Sequence, residues 1–196
     1  MQRSLIKDTI HGGIGFALVS TAAFSVWAFA ANFFRNIGGE TGLYVAIAIV
    51  FLGFSGLVMW PMAGGIGCFY KAFFPAFLDY SALWCVAWFA FQGKVGEWLG
   101  SFLGCIVFTH VVMKKFRSEK SRLPVFAVVF LLHSAGYFAG DWAMYQYCKP
   151  KALTFAKNSS DWQHWMILGK LAWGLFYGLG FGAGIGWVFH QSRIEA

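Results

Sequence analysis

Gly174-Leu-Phe-Tyr-Gly178-Leu-Gly180-Phe-Gly182-Ala-Gly184-Ile-Gly186 is an uncharged run in which glycine recurs at every fourth residue, with Gly180 and Gly184 forming a second column beside the first. Residues four apart share one face of a helix, so both columns are stripes without side chains. In hydrocarbon, helices gain little from burying apolar side chains against each other, and close backbone approach along small residues becomes a main way to hold a bundle together. The spacing predicts a membrane helix packed as a glycine zipper. Shorter columns occur at Gly96, Gly100 and Gly104 and at Gly136 and Gly140. They extend the expectation to glycine-zipper packing among the fourth, fifth and sixth spans.

The rest of the chain agrees with a bilayer setting. Of 196 residues, 59% are hydrophobic and 12% charged, against roughly 45–50% and about 25% in soluble domains. At about 20 residues per span the length accommodates about six or seven spans and short loops. Residues 1–196 therefore read as a single polytopic transmembrane domain of all-α class. The N-terminal apolar run lacks a small-residue cleavage site and is expected to remain as a span.

Apolar runs place the spans near 12–34, 43–63, 76–92, 96–114, 123–147 and 165–190. The third is short, because Pro61 and Pro75 bracket the glycine-rich passage before it, and a re-entrant segment is the alternative. Basic residues decide between them. With six crossings, Arg3, Lys7, Lys71, Lys114, Lys115, Arg117, Lys120, Arg122 and Arg193 share one side, while Arg35, Lys94, Lys149, Lys151 and Lys157 share the other. Without the third crossing the two sides balance. Six spans with both termini cytoplasmic is the expectation. Clustering of the positive charge in one loop between apolar runs points to cytoplasmic retention and away from nucleic acid.

Ionisable and polar groups inside spans are costly and become functional candidates by default. Asp141 and Lys170 should both lie roughly 8 Å inside the outer boundary, at 1.5 Å per residue, which leaves two readings: a pair across neighbouring helices, or Lys170 snorkelling to the surface. His133 should lie close to the midplane of the fifth span, with Ser55, Cys85 and Cys105 at similar depth. Cys68, Cys85, Cys105 and Cys148 contain no Cys-x-x-Cys spacing. No zinc site or disulfide framework is indicated.

Gly53-Phe-Ser55-Gly56 together with His133-Ser-Ala-Gly136-Tyr-Phe-Ala-Gly140 resembles the Gly-x-Ser-Gly and His-x-x-Gly-x-x-x-Gly elements of rhomboid intramembrane proteases. That resemblance implies a Ser55–His133 dyad. It covers about a dozen residues, two expected helices separate the pair where that family has one, and no His-x-x-x-Asn element precedes it.

The expected function is a non-catalytic integral subunit of a larger membrane assembly, because intramembrane polar groups are few. Its 23 Phe and 10 Trp suffice to cover lipid, pigment or partner helices. One alternative is a small transporter or channel with Asp141, Lys170 and His133 along its path. A second is a membrane enzyme, or a haem or metal redox protein, centred on His133. No catalytic or metal-ligand set stands out and no cofactor is required by the sequence. The expected partners are the lipid bilayer and other membrane subunits or further copies of the chain.

Overall fold

The computed structural model describes residues 4–193. Arg3, counted above among the basic residues, lies outside them. Helix α1 (Leu5–Phe29) starts where the Ser4 side chain accepts a hydrogen bond from the Lys7 amide at 3.3 Å, an N-cap that satisfies one of the helix's free donors. This start precedes the expected one and draws Lys7, Asp8 and His11 into the helix. Helix α2 (Ala31–Met59) is interrupted at Gly38 and Gly39. Gly39 has φ +64°, a left-handed conformation natural to glycine, and Arg35 and Glu40 form an ion pair of 2.7 Å across the break.

A 3-10 turn at Trp60–Met62 and the Gly64–Gly65 turn lead into α3 (Ile66–Phe91). Positive φ values at Gln92 and Gly93 then reverse the chain into α4 (Gly93–Lys115), so α3 and α4 form a tight hairpin. Helix α5 (Arg122–Trp142) runs through a wider π-turn at Ala143–Cys148 into Lys149–Ala152. Helix α6 (Ser160–Arg193) is the longest, and the Ser159 hydroxyl accepts from the Trp162 amide at its start. All six helices are long and apolar enough to cross a membrane. The chain is thus an all-helical bundle of integral-membrane type.

The third helix corrects the expected boundary near 76. It begins at Ile66 and carries Pro75 in its interior. Proline removes one helical hydrogen bond, a loss that helices in membranes tolerate. The Gly64–Gly65 turn ends the preceding segment instead.

The packing pattern also differs from the expected closeness of helices 4 to 6. Helix α6 is central, lying between α1 and α5, while α3 and α4 pair with each other and α2 packs on α1. Gly174, Gly178, Gly182 and Gly186 all face α1: a Cβ at Gly178 would stand 2.5 Å from the Ala17 Cα, and one at Gly174 2.8 Å from the Phe24 Cβ. Gly180 faces Gly136 of α5, and Gly140 faces Trp173 of α6. Gly96, Gly100 and Gly104 meet Trp88, Trp84 and Tyr80 of α3, not the last two helices. Loop length explains the change, since the single residue between α3 and α4 forces them to be neighbours. The two glycine faces of α6 then receive one helix each.

Aromatic rings fill the interior. Phe16 of α1 sits 5.6 Å from Phe51, 6.1 Å from Phe77 and 5.7 Å from Phe181 between ring centroids. On α3, Phe69, Phe73 and Phe77 stack in sequence at 4.8 and 5.2 Å. Such pairs contribute about 0.5–1.5 kcal/mol each beyond the area they bury.

Gly178→Val should lower stability by about 1–3 kcal/mol, the range for overpacking a closed interface. Gly53→Val, at a site with nothing within 4 Å of the added carbon, should cost less than half of that. Thermal unfolding in detergent micelles compares the two, and equal losses would contradict the packing described.

Candidate functional site

Three polar side chains meet at the centre of the bundle. Helix α3 brings Tyr80, α5 brings His133 and α6 brings Tyr177. The Tyr80 hydroxyl lies 2.6 Å from His133 Nε2, and the Tyr177 hydroxyl donates to Tyr80 at 3.3 Å. His133 Nδ1, also buried, has no hydrogen-bond partner among the described residues. His133 is fully buried and Tyr80 is 4% exposed.

The backbone explains the convergence. Gly136 against Gly180 brings α5 and α6 together. Gly104 leaves room for the Tyr80 ring, whose Cδ2 would stand 2.6 Å from a Cβ placed there. Around the trio the cage is aromatic: Phe181 lies 5.0 Å from the His133 ring and 4.7 Å from Tyr80, and Tyr137 stacks on His133 at 6.0 Å and 9°. Within an apolar cage a hydrogen bond is electrostatically stronger than in water, and an unpaired polar group is correspondingly expensive. Chemically the trio can hold three helices in register and share protons along Tyr177, Tyr80 and His133.

Only part of the expected midplane group assembles. Cys105 is buried in the same core as His133. Cys85 faces outward on α3, and the Ser55 hydroxyl donates to the Phe51 carbonyl of its own helix at 2.5 Å. The dyad implied by the protease resemblance is replaced by these two separate bonds, Ser55 to Phe51 and His133 to Tyr80. Among the described residues, no three His, Cys, Asp or Glu side chains converge as a metal-ligand set.

The expected Asp141–Lys170 pair is a second correction. Asp141 Oδ2 accepts from Lys94 Nζ at 2.7 Å, and the same ammonium reaches Glu97 Oε2 at 2.9 Å. Lys170 donates to the Trp27 carbonyl at 3.3 Å and lies 4.9 Å from the centroid of the Trp27 ring. The reason is lateral: Lys170 points to α1, whereas Asp141 points to the start of α4. Lys149 and Lys151 complete this end of the bundle, standing over Tyr145, Tyr147 and Trp165. At the opposite end, His190 Nδ1 donates to Asp8 Oδ2 at 2.8 Å, joining α6 to α1. There Arg193 donates to the Met62 carbonyl, and Lys120 to Gln191 at 3.0 Å.

Tyr80 and Tyr177 were not among the sequence candidates. A signal for Tyr80 exists, because Phe69, Phe73, Phe77 and Tyr80 follow the helical i, i+4, i+8, i+11 stripe that marks an inner face. Tyrosine carries a polar tip that needs a partner when buried. Asp79 was missed too. A helix beginning near 76 puts it at an end, whereas the observed start at Ile66 moves it to the middle.

Tyr80→Phe should destabilise the protein by about 1–3 kcal/mol, because it leaves His133 Nε2 buried without its partner. Adding His133→Leu should recover part of that loss, a coupling measurable by a double-mutant cycle on unfolding in detergent. Additive losses would show that the two side chains do not interact. Comparison with protein-family models, with characterised proteins and with solved structures finds no match for this chain.

Proposed function

We propose that this protein is a non-catalytic integral membrane subunit of a larger membrane assembly, with both termini on the cytoplasmic side. The observation that carries this reading is an open groove between α2 and α3, lined by Leu52, Gly53, Tyr70, Lys71, Phe74 and Pro75. These two helices touch where Tyr70 rests on Gly56 and donates to the Gly53 carbonyl at 2.7 Å, and again inside the bundle where the Phe51 and Phe77 rings stand 5.5 Å apart. Gly53 has nothing within 4 Å of where a side chain would begin, and such a side-chain-free position is suited to close approach by another helix.

The interior supports the same reading. Glycine columns on α6 act in this proposal as a zipper that holds α1 and α5 tightly, and the rings of Phe16, Phe77 and Phe181 fill the space between helices. The result is a tightly packed scaffold that carries the α2–α3 groove on its surface. A transport path through Asp141, Lys170 and His133 has weaker support, since the three side chains engage Lys94, Trp27 and Tyr80 respectively. For sidedness, Lys71, Lys114, Lys115, Arg117, Lys120, Arg122 and Arg193 occupy the end where α3 and α5 start and α4 and α6 stop. Excess basic charge marks the cytoplasmic side.

Extraction of native membranes in a mild detergent should yield the chain in a complex of fixed stoichiometry, read by native mass and subunit ratio. Recovery as a free chain under conditions that preserve other membrane complexes would refute the proposal. With the exposed Cys68 and Cys85 replaced by Ser, Ser118→Cys should react with a membrane-impermeant maleimide from the cytoplasmic face and Asn158→Cys from the opposite face. Labelling of both from one face would reject the six-crossing topology.

A further inference from the structure

Asp79 stands near the midpoint of the 26-residue α3, about 20 Å along the helix from either end at 1.5 Å per residue. The next residue, Tyr80, turns inward to His133. Asp79 turns outward and is exposed, on a face it shares with Lys71, Pro75, Leu78, Ala82 and Val86. Among the described residues no hydrogen bond or ion pair reaches its carboxyl group. Lys71 is two turns away, about 12 Å along the axis, and an aspartate side chain is too short to reach the headgroup region from mid-depth.

Ionisable residues inside membranes almost always face the bundle interior or a polar partner, and acyl chains offer neither donor nor counter-charge. Pro75, one turn earlier on the same face, brings no N–H to the Lys71 carbonyl. This face therefore presents acceptors, beside a groove whose α2 wall includes the bare Gly53. We propose that the outer face of α3 docks a transmembrane helix of another protein, bearing a Lys or Arg at mid-membrane depth that pairs with Asp79. The inference rests on the subunit reading above and specifies the partner's chemistry.

Charge complementarity selects this occupant over a second copy. A two-fold axis along the membrane normal places equivalent residues at equal depth, so it would set Asp79 against Asp79. This chain also has no matching cation to offer among its described residues. Its exposed basic side chains stand near helix ends, as at Lys71, Lys94, Lys114 and Lys115, and Lys170 is engaged by Trp27.

The test uses the full-length protein in phosphatidylcholine–phosphatidylglycerol vesicles with synthetic Leu/Ala transmembrane peptides of about 24 residues. The peptides carry one central Arg, Leu or Asp, and association is read by energy transfer between labelled protein and labelled peptide. The Arg peptide should bind wild-type protein at least tenfold more tightly than the Leu or Asp peptide. Asp79→Leu should abolish that preference, and Asp79→Asn, which keeps hydrogen-bonding capacity and loses the charge, should reduce it. Equal binding of the Arg and Leu peptides, survival of the preference in Asp79→Leu, or self-association of the wild type through Asp79 would each overturn the inference. Failure of the docking idea is separable from failure of the subunit reading. A native complex that persists with Asp79→Leu removes only the former, whereas a wild-type chain recovered free from native membranes removes the latter.

Discussion

Close approach of two backbones along the α1–α6 seam is the constraint on which the remaining structure depends. Gly12 on one helix and Gly182 and Gly186 on the other leave peptide groups where side chains would normally stand. Dispersion forces fall off steeply with separation, so a seam of bare backbone gains contacts that side chains would have kept apart. It also sets the height of α6 relative to α1. The buried Asp8 is thereby brought to His190 at one end, and Lys170 to Trp27 toward the other.

With α6 fixed against α1, its second glycine face receives α5, and the two faces together make α6 the axis of the bundle. The α3–α4 hairpin then closes over the side where Phe181, Tyr177 and His133 converge. Gly104 allows Tyr80 to lie flat enough to reach the imidazole. Polar groups of Tyr177, Tyr80 and His133 at the membrane centre are thus linked to each other inside an aromatic cage, while His133 Nδ1 has no hydrogen-bond partner among the described residues. Those at the bundle ends engage carbonyls, carboxylates and indole rings. Asp79 departs from this pattern, being central in depth and outward in direction, and for that reason it directs attention to what lies outside the chain.

Much of the architecture was legible from composition and periodicity. Six helices and the segregation of basic residues to one end follow from hydropathy and charge, whereas α2 starts at Ala31, well before the expected position near 43. The same local signals misplaced the start of α3, because Pro75 looks like a helix boundary when read alone. Gly64–Gly65 supplies the actual turn, and only the surrounding helices make an internal proline tolerable. Placing the helix start at Ile66 is what changes Asp79 from a boundary residue into a central one. His133 was recognised as a buried polar group, but its partners came from α3 and α6, and no spacing along one helix encodes which neighbour its imidazole will meet.

Sequence by itself determined the class of object: its spans, their apolar surfaces, and the glycine stripes along which helices can come together. A stripe defines a face without naming the helix that occupies it, because periodicity is a property of one segment and pairing is a property of two. Tertiary structure decided that α1 takes the longer stripe, that Lys94 rather than Lys170 neutralises Asp141, and that Tyr80, itself bonded to Tyr177, is the hydrogen-bond partner of His133. These outcomes turn on lateral positions and rotations of helices about their axes, which short loops and close-packed volumes settle together.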